Sequence, residues 1–245
     1  MFRSLVTSSV SAQGLAQVKL SKPVMGLKFW DQFKTTMQTL GEDPKVRCIL
    51  VSGQHKSFSF GLDLKDQVQM DVILSPDTIS AAPQDAARRA FQLNKFISEL
   101  QSSLTSMEET NQPVVALVHE FCFGGGMDLV CCADVRWCTQ DAKFAIKEVD
   151  VGMAPDLGTL QRMERLVGSS SLVRELAFTG RIMHSAEAKA CGFVSRVFST
   201  KDEMLVEAQK FGEEICSKSP VAITGIKRNL NFARDAASLW ELNGH

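Results

Sequence analysis

The sequence lacks both a long apolar run and a strong net charge, and each absence excludes a class of protein. No stretch of about 18 or more apolar residues occurs, so we predict no transmembrane helix and expect no membrane insertion. There are 27 lysine and arginine residues against 28 aspartate and glutamate residues, which gives a formal net charge of -1. A balanced chain has no broad attraction for nucleic acid or anionic lipid. We therefore expect neither as a partner.

The sequence also lacks the cysteine and histidine patterns that hold disulfides or metal ions. Its seven cysteines are an odd number, and no CxxC or paired Cys/His spacing is present. Such a pattern fits neither a disulfide framework nor a zinc site. We predict buried free thiols and no metal site.

Motifs for nucleophilic catalysis and for nucleotide phosphates are missing as well. No GxSxG elbow, no GK[ST] phosphate loop and no GxGxxG is present, and there are only four histidines. Acid–base chemistry would therefore depend on carboxylates.

The order of predicted elements indicates an α/β fold. The chain has 245 residues, of which 44% are apolar, enough for one large domain or a domain with an appendage. Strands alternate with helices early, and helices dominate late, which favours one α/β core with a helical carboxy-terminal section. We place the core at 1–195 and the helical section at 196–245, within one domain unit. Strands are predicted near 17–20, 46–51, 114–119, 134–138, 143–146 and 194–198, helices at 27–40, 84–109, 158–167, 170–179, 185–191, 201–217 and 220–233, and a loop at 71–83.

Two glycine sites follow predicted buried strands. Gly124, Gly125 and Gly126 lie between a strand and a helix, and Gly61 lies in the segment FSFGLDL. Glycine permits close approach of a ligand, and a helix amino terminus offers free N–H groups for phosphate or an oxyanion. A simple tight turn, or a loop with Asp63 as a helix cap, explains the same residues.

Acidic residues cluster in FAIKEVDVGMAPDLGTL. Glu148 and Asp156 would be about 12 Å apart on a continuous helix, but Gly152 and Pro155 make that helix improbable, so the chain can fold back. Asp150 is expected to pair with a basic residue. The segment is either a solvated turn or an acid–base pocket. A further carboxylate, Asp128, lies one turn into the helix that follows the glycine triplet.

Six segments, in this order, carry a resemblance to a known family: FSFGLDL, PVVALVHEFCFGGGMDLVCCADVRWC, AKFAIKEVDVG, GTLQRMERLVG, ELAFTGRIMHSAEAKACGFVSRVF and SKSPVAITGIK. From about Val18 to Arg234 the chain resembles the crotonase (enoyl-CoA hydratase/isomerase) superfamily. The resemblance implies a spiral of strands and helices, an acyl-CoA substrate, no cofactor and a homotrimer or homohexamer. It also implies an oxyanion hole formed by the backbone N–H groups of Leu62 and Gly125. The flanking residues implied to bind substrate are Phe58, Phe60, Gly61, Asp63, Gly124 and Gly126.

The acids distinguish the reactions within that superfamily. Asp128, Glu148 and Asp156 together resemble the set in the Δ3,5-Δ2,4-dienoyl-CoA isomerases, whereas hydratases generally lack an acid at the position of Asp156. The resemblance implies that Glu148 is the base near C2 and Asp156 the proton donor near C6, or the reverse, with Asp128 tuning or orienting one of them. The alternatives are a 2-enoyl-CoA hydratase, a Δ3-Δ2-enoyl-CoA isomerase and a crotonase-fold RNA-binding protein.

Both ends of the chain bear on cellular location. The amino terminus, MFRSLVTSSVSAQG, is rich in hydroxyl groups, contains Arg3 and lacks acids, as a transit peptide would, although a frayed first strand explains it equally. The chain ends ELNGH and not the peroxisomal SKL. We expect a mitochondrial or peroxisomal protein. Compared with the superfamily, the stretches near 23–25 and 235–237 are short.

Overall fold

The computed structural model describes residues 4–74 and 85–235. Its strands are β1 (Val6–Val10), β2 (Leu15–Leu20), β3 (Cys48–Gly53), β4 (Val114–Val118), β5 (Phe121–Phe123), β6 (Val135–Thr139), β7 (Lys143–Ala145), β8 (Met183–His184) and β9 (Arg196–Phe198). Its helices are α1 (Leu27–Glu42), α2 (Gln67–Leu74), α3 (Ala86–Glu109), α4 (Gly125–Cys131), α5 (Thr159–Val167), α6 (Ser170–Thr179), α7 (Ser185–Ala190), α8 (Lys201–Cys216) and α9 (Pro220–Asp235), with a 3-10 helix at Glu148–Val151.

Two sheets organise these elements. The larger has six strands in the order β1-β2-β3-β4-β6-β9, and the smaller has three in the order β5-β7-β8. In the larger sheet, β1 and β2 are antiparallel and the remaining neighbours are parallel. The smaller sheet pairs β5 with β7 in parallel, and this pairing carries the candidate site.

The central strand β3 is buried on both faces, which explains its continuous apolar sequence. Ile49 and Val51 join the larger core, which includes the apolar face of α1. Cys48 and Leu50 point to the other face and pack in a second core with α8. The late helix α8 therefore packs directly on the sheet.

Most predicted elements are present, and the differences have local causes. The predicted loop at 71–83 is wrong for 71–74, because α2 continues to Leu74, and its remainder lies outside the described residues. Prediction also missed β5 and β8, of three and two residues, which are too short for a periodic pattern.

The helix α3 begins at Ala86, and the side chain of Asp85 caps it by accepting a hydrogen bond from Arg88 N–H at 2.9 Å. The apolar periodicity of 84–109 predicts that Phe91 is buried, but this side chain is 75% exposed.

The carboxy-terminal helices differ in how much apolar surface they cover. On α8, Phe211 packs against Trp137, with ring centroids 5.0 Å apart. On α9, Val221 is 81% exposed and Leu230 is 65% exposed. The buried Lys227 attaches α9 to the amino-terminal end of β6 through an ion pair with Asp134 at 2.8 Å. No helix in residues 4–74 and 85–235 has the length and apolarity needed to cross a membrane.

Candidate active site

The turn at Gly61 and Leu62 pairs with the segment at Met25 and orients the backbone N–H of Leu62 away from that segment. Met25 N–H donates to Gly61 O at 2.8 Å, and Asp63 N–H donates to Met25 O at 3.0 Å. These two bonds form a parallel bridge between Met25 and Leu62. In such a bridge the central residue's own N–H points away from the partner. Leu62 N–H therefore faces away from Met25.

The glycine triplet lies directly against this turn. Gly61 has φ 81° and Gly124 has φ 51°, both in the region that favours glycine. A β-carbon on Gly61 would lie 2.8 Å from Gly125 N, so the turns approach more closely than any other residue would allow. Within the described residues, neither Leu62 N–H nor Gly125 N–H has a hydrogen-bond acceptor. The two amides lie on adjacent turns and are free to bind an oxygen.

Parallel pairing of β5 with β7 places Glu148 beside the triplet. Phe123 is opposite Ala145, and Gly124 N–H donates to Ala145 O at 3.1 Å. Glu148 follows β7 in the 3-10 helix, and a β-carbon on Gly124 would lie 3.2 Å from its Oε1. A cavity of about 80 Å³ is lined by both amide-bearing turns and by this side chain: Phe60, Leu62, Leu64, Gly124, Gly125, Lys147, Glu148, Val151 and Met153.

The Glu148 carboxyl group is set up to exchange a proton near neutral pH. Burial, and then the charge of Asp128, raise the pKa of Glu148 to about 7. Its Oε2 is buried and has no partner among the described residues. An acid with that pKa can accept a proton from a substrate and return it.

Asp128 connects α4 to α5. It is only 1% exposed, and its Oδ1 accepts hydrogen bonds from Thr159 N–H at 2.8 Å and Thr159 Oγ1 at 2.6 Å. Burial raises the pKa of Asp128 to about 6, although the bonds from Thr159 lower it. Its Oδ2 is buried without a partner in the described chain. Asp128 therefore acts both as a cap for α5 and as a charge that affects Glu148.

Asp156 lines a different cavity, of about 270 Å³, which is mostly apolar. α3 supplies much of its wall, and Leu62 and Met153 line both cavities. The residue as a whole is exposed, yet burial of its carboxyl group raises the pKa of Asp156. The residues that line this larger cavity are Leu62, Ile73, Leu93, Phe96, Ile97, Leu100, Gly152, Met153, Ala154, Asp156 and Leu157.

Only some of the other predicted substrate-binding residues line a cavity. Of these, Phe60 and Gly124 line the small cavity. Phe58 is fully buried in the core. Asp63 accepts from Lys65 N–H at 3.0 Å, so it stabilises its own turn. Gly61 and Gly126 line neither cavity: Gly61 supports the turn, and Gly126 packs on Ser59.

Asp150 lies outside both cavities. It pairs with Lys147 at 2.7 Å, which is the interaction expected from the sequence. No group of three or more histidine, cysteine, aspartate and glutamate side chains within 4–74 and 85–235 has a geometry for holding a metal ion.

Sequence reasoning missed several residues that shape the site. Thr159 binds Asp128 across 31 positions of sequence, and Gln101 Nε2 donates to Asp156 O at 2.6 Å across 55 positions. Neither contact leaves a local pattern. Leu93 and Ile97 on α3 were readable as an apolar stripe, but a stripe does not distinguish core from cavity wall.

The fold and site define a crotonase-type α/β protein in which two amide-bearing turns and a carboxylate line one small cavity, and a further acid lines an adjacent apolar cavity. A sequence model described as enoyl-CoA hydratase/isomerase matches residues 11–241, and the chain belongs to this family.

Relatives with curated names are similar over most of this chain. A mitochondrial Delta(3,5)-Delta(2,4)-dienoyl-CoA isomerase from Mus musculus is 43% identical over 222 residues, which cover 89% of this chain and 66% of the relative. This chain thus spans about two thirds of that relative's length. A peroxisomal Delta(3,5)-Delta(2,4)-dienoyl-CoA isomerase from Arabidopsis thaliana is 38% identical, covering 87% of this chain and 74% of the relative.

A solved structure has the same fold. The crystal structure of a probable enoyl-CoA hydratase/isomerase from Mycobacterium abscessus superposes with a TM-score of 0.82 at 26% identity. The match covers 97% of this chain and 85% of the other. The crotonase-type fold expected from the sequence is confirmed.

Proposed function

We propose that this chain converts 3,5-dienoyl-CoA into 2,4-dienoyl-CoA in fatty acid oxidation. The observation that carries the proposal is Asp156, an acid on the wall of an apolar cavity next to the one that holds Glu148. Moving a proton from C2 to C6 of an acyl chain is best served by two acids spaced along that chain. The names of the mouse and Arabidopsis relatives agree with this reaction.

The free amides would stabilise the charge that forms. In the proposed reaction, the thioester oxygen accepts hydrogen bonds from Leu62 N–H and Gly125 N–H. Glu148 removes a proton from C2, and the electron pair delocalises over C2 to C6 and onto that oxygen. Preorganised donors stabilise such an oxyanion, and loss of one typically costs about 10²–10³ in rate.

The second acid would complete the isomerisation. Asp156 donates a proton to C6, which leaves double bonds at C2–C3 and C4–C5 and restores the thioester carbonyl. Burial raises the pKa of Asp156, which is the direction that a donor needs. Burial also raises the pKa of Glu148, to about 7, so transfer in the reverse direction is the alternative. Glu148 must begin deprotonated, and because the acids interact they titrate together. Both proton transfers use carboxyl groups of this chain, so the proposed reaction needs no cofactor.

Hydration of 2-enoyl-CoA is the second candidate. Glu148 Oε2 and Asp128 Oδ2 are both buried and without partners in the described chain, and the charge of Asp128 raises the pKa of Glu148. Hydration would require these two carboxyl groups to hold one water molecule between them. Hydration would use these two acids and leave Asp156 without a role.

The test is activity of the purified protein on the two substrates. Formation of 2,4-dienoyl-CoA from 3,5-dienoyl-CoA should be followed by absorbance, and hydration of 2-enoyl-CoA should be measured alongside. We expect isomerisation to have the higher kcat/KM. Hydration without isomerisation would overturn the proposal in favour of the second candidate.

We also propose assembly and location. The exposed apolar side chains of α9 support a homotrimer or a homohexamer, since such surfaces are usually covered by a partner. The mouse relative is named mitochondrial and the Arabidopsis relative peroxisomal, which supports a location in an organelle of fatty acid oxidation. Imaging of the tagged full-length protein with markers for both organelles would test the location.

A further inference from the structure

The segment that carries Asp156 has little internal support. It lies between Gly152, with φ 75°, and Gly158, with φ 121°, and it forms neither helix nor strand from Met153 to Asp156. Met153 N–H bonds back to Glu148 O at 3.0 Å. Regular backbone hydrogen bonds therefore do not determine where Asp156 lies.

Gln101 on α3 supplies an external hydrogen bond to this segment. Its Nε2 donates to Asp156 O at 2.6 Å. In the described part of the chain, the other hydrogen bond to the backbone between Ala154 and Leu157 is a longer one, from Arg162 Nη1 to Leu157 O at 3.5 Å. The Asp156 carboxyl group is joined to the Cα atom of this backbone by a single methylene group, so its position follows that of the backbone. Fixing the backbone of Asp156 therefore limits the positions that its carboxyl group can reach.

The same helix forms much of the apolar cavity. Phe96 and Leu100 on α3 line it, and Gln101 follows directly on the next face of the helix. The acyl tail of the proposed substrate would occupy this apolar cavity, so α3 contacts both that space and the backbone of the proposed donor. Because Asp156 is attached to the helix that forms the cavity wall, its distance from an acyl chain bound in that cavity would stay constant.

We infer that Gln101 is a positioning residue for the reaction: its hydrogen bond holds Asp156 at the depth of the acyl cavity where the distal carbon is protonated. This rests on the proposed function. Gln101 does not line the cavity that contains Asp156, so it acts through the backbone of Asp156 and not on substrate.

Gln101→Leu tests the role, because leucine has a similar size but cannot donate. A displacement of about 1 Å at a reacting group can cost on the order of 100-fold. We expect kcat for 2,4-dienoyl-CoA formation to fall by about 10- to 100-fold, with KM changed by less than about threefold. Exchange of the C2 proton with solvent deuterium should continue near the wild-type rate, since Glu148 is untouched.

Gln161→Leu is the matched control. Gln161 is exposed on α5 and lines the same polar cavity as Gln101, of about 400 Å³, but does not bond to the Asp156 segment. Its kcat should remain within about twofold of wild type. The inference is overturned if both variants retain activity, or if Gln101→Leu loses C2 exchange in proportion to product formation, which indicates general damage.

Crystal structures of wild type and Gln101→Leu give a readout without activity. We expect the Asp156 carboxyl group to shift by about 1 Å or more, or to become disordered. An unmoved carboxyl group overturns the inference. A wild-type protein without activity on 3,5-dienoyl-CoA would instead overturn the proposed function, while the crystal structures still test the hydrogen bond.

Discussion

At the scale of single residues, Asp156 distinguishes isomerisation from hydration. Asparagine keeps its size and polarity but cannot donate a proton, so Asp156→Asn should lower kcat for 2,4-dienoyl-CoA formation by about 10²–10⁴ with little change in KM. In deuterated solvent, label should still enter C2 because Glu148 remains. Steady-state kinetics and mass spectrometry measure both. Near-normal isomerisation by Asp156→Asn would refute the role of Asp156 as the distal proton donor.

Glu148 should make stability depend on pH. Its pKa is about 7 in the folded protein against an ordinary value of 4.5, so the native state binds the proton more tightly than the unfolded chain. Below about pH 4.5 Glu148 is protonated in both states and does not change the stability. Between about pH 4.5 and pH 7 the unfolded chain loses this proton more readily than the native state, so the native state is increasingly destabilised. Glu148→Gln removes this titration.

Urea unfolding at pH 5 and pH 8 measures the effect. Relative to wild type, Glu148→Gln should gain roughly 1–3 kcal/mol of unfolding free energy on going from pH 5 to pH 8. Glu99→Gln, at an exposed position of α3, is the control. An equal change in both variants would refute a specific contribution from Glu148.

At the scale of elements, the contact of α4 with α5 depends on Asp128 and Thr159. Thr159→Val keeps the branched shape but removes the Oγ1 donor, so the pKa of Asp128 should rise above about 6. Hydrogen bonds to charged groups contribute about 1.5–3 kcal/mol, and a loss of that order in unfolding free energy is expected at pH 8. Urea unfolding and NMR titration of Asp128 are the measurements.

Thr179→Val is the comparison for that change. In the wild type, Thr179 Oγ1 donates to Glu175 O at 2.7 Å, at an exposed position of α6. We expect a loss below about 0.5 kcal/mol there. Equal losses at Thr159 and Thr179 would contradict a special role for the bond to Asp128.

At the scale of the whole molecule, α9 should mediate assembly. Val221 and Leu230 are among its exposed apolar side chains, and burying them between copies would be favourable. Sedimentation velocity at micromolar concentration should show a trimer or hexamer, and Val221→Asp with Leu230→Asp should dissociate it. Val206→Asp on α8, at a site that is 55% exposed, is the control. A wild-type monomer would refute the prediction.

The sequence by itself determined which elements form and which chemical groups are present. The spacing of Phe29, Trp30, Phe33 and Met37 predicted α1 because a helix places such positions on one face, and these residues are buried. The continuous apolar run of β3 predicted a strand buried on both sides. The acids Asp128, Glu148 and Asp156 were identified through ordered motifs that resemble a family. These features are local or collinear, so they can be read along the chain.

Only the tertiary structure decided how those groups meet. Parallel pairing of β5 with β7 brings Gly124 beside Glu148, and Gln101 reaches Asp156 from a helix 55 residues earlier. Leu62 and Met153 line both cavities and lie between them. Their meeting depends on packing between segments that are distant in sequence. Burial then raises the pKa of each acid, because desolvation depends on everything packed around a carboxyl group and not on its neighbours in sequence.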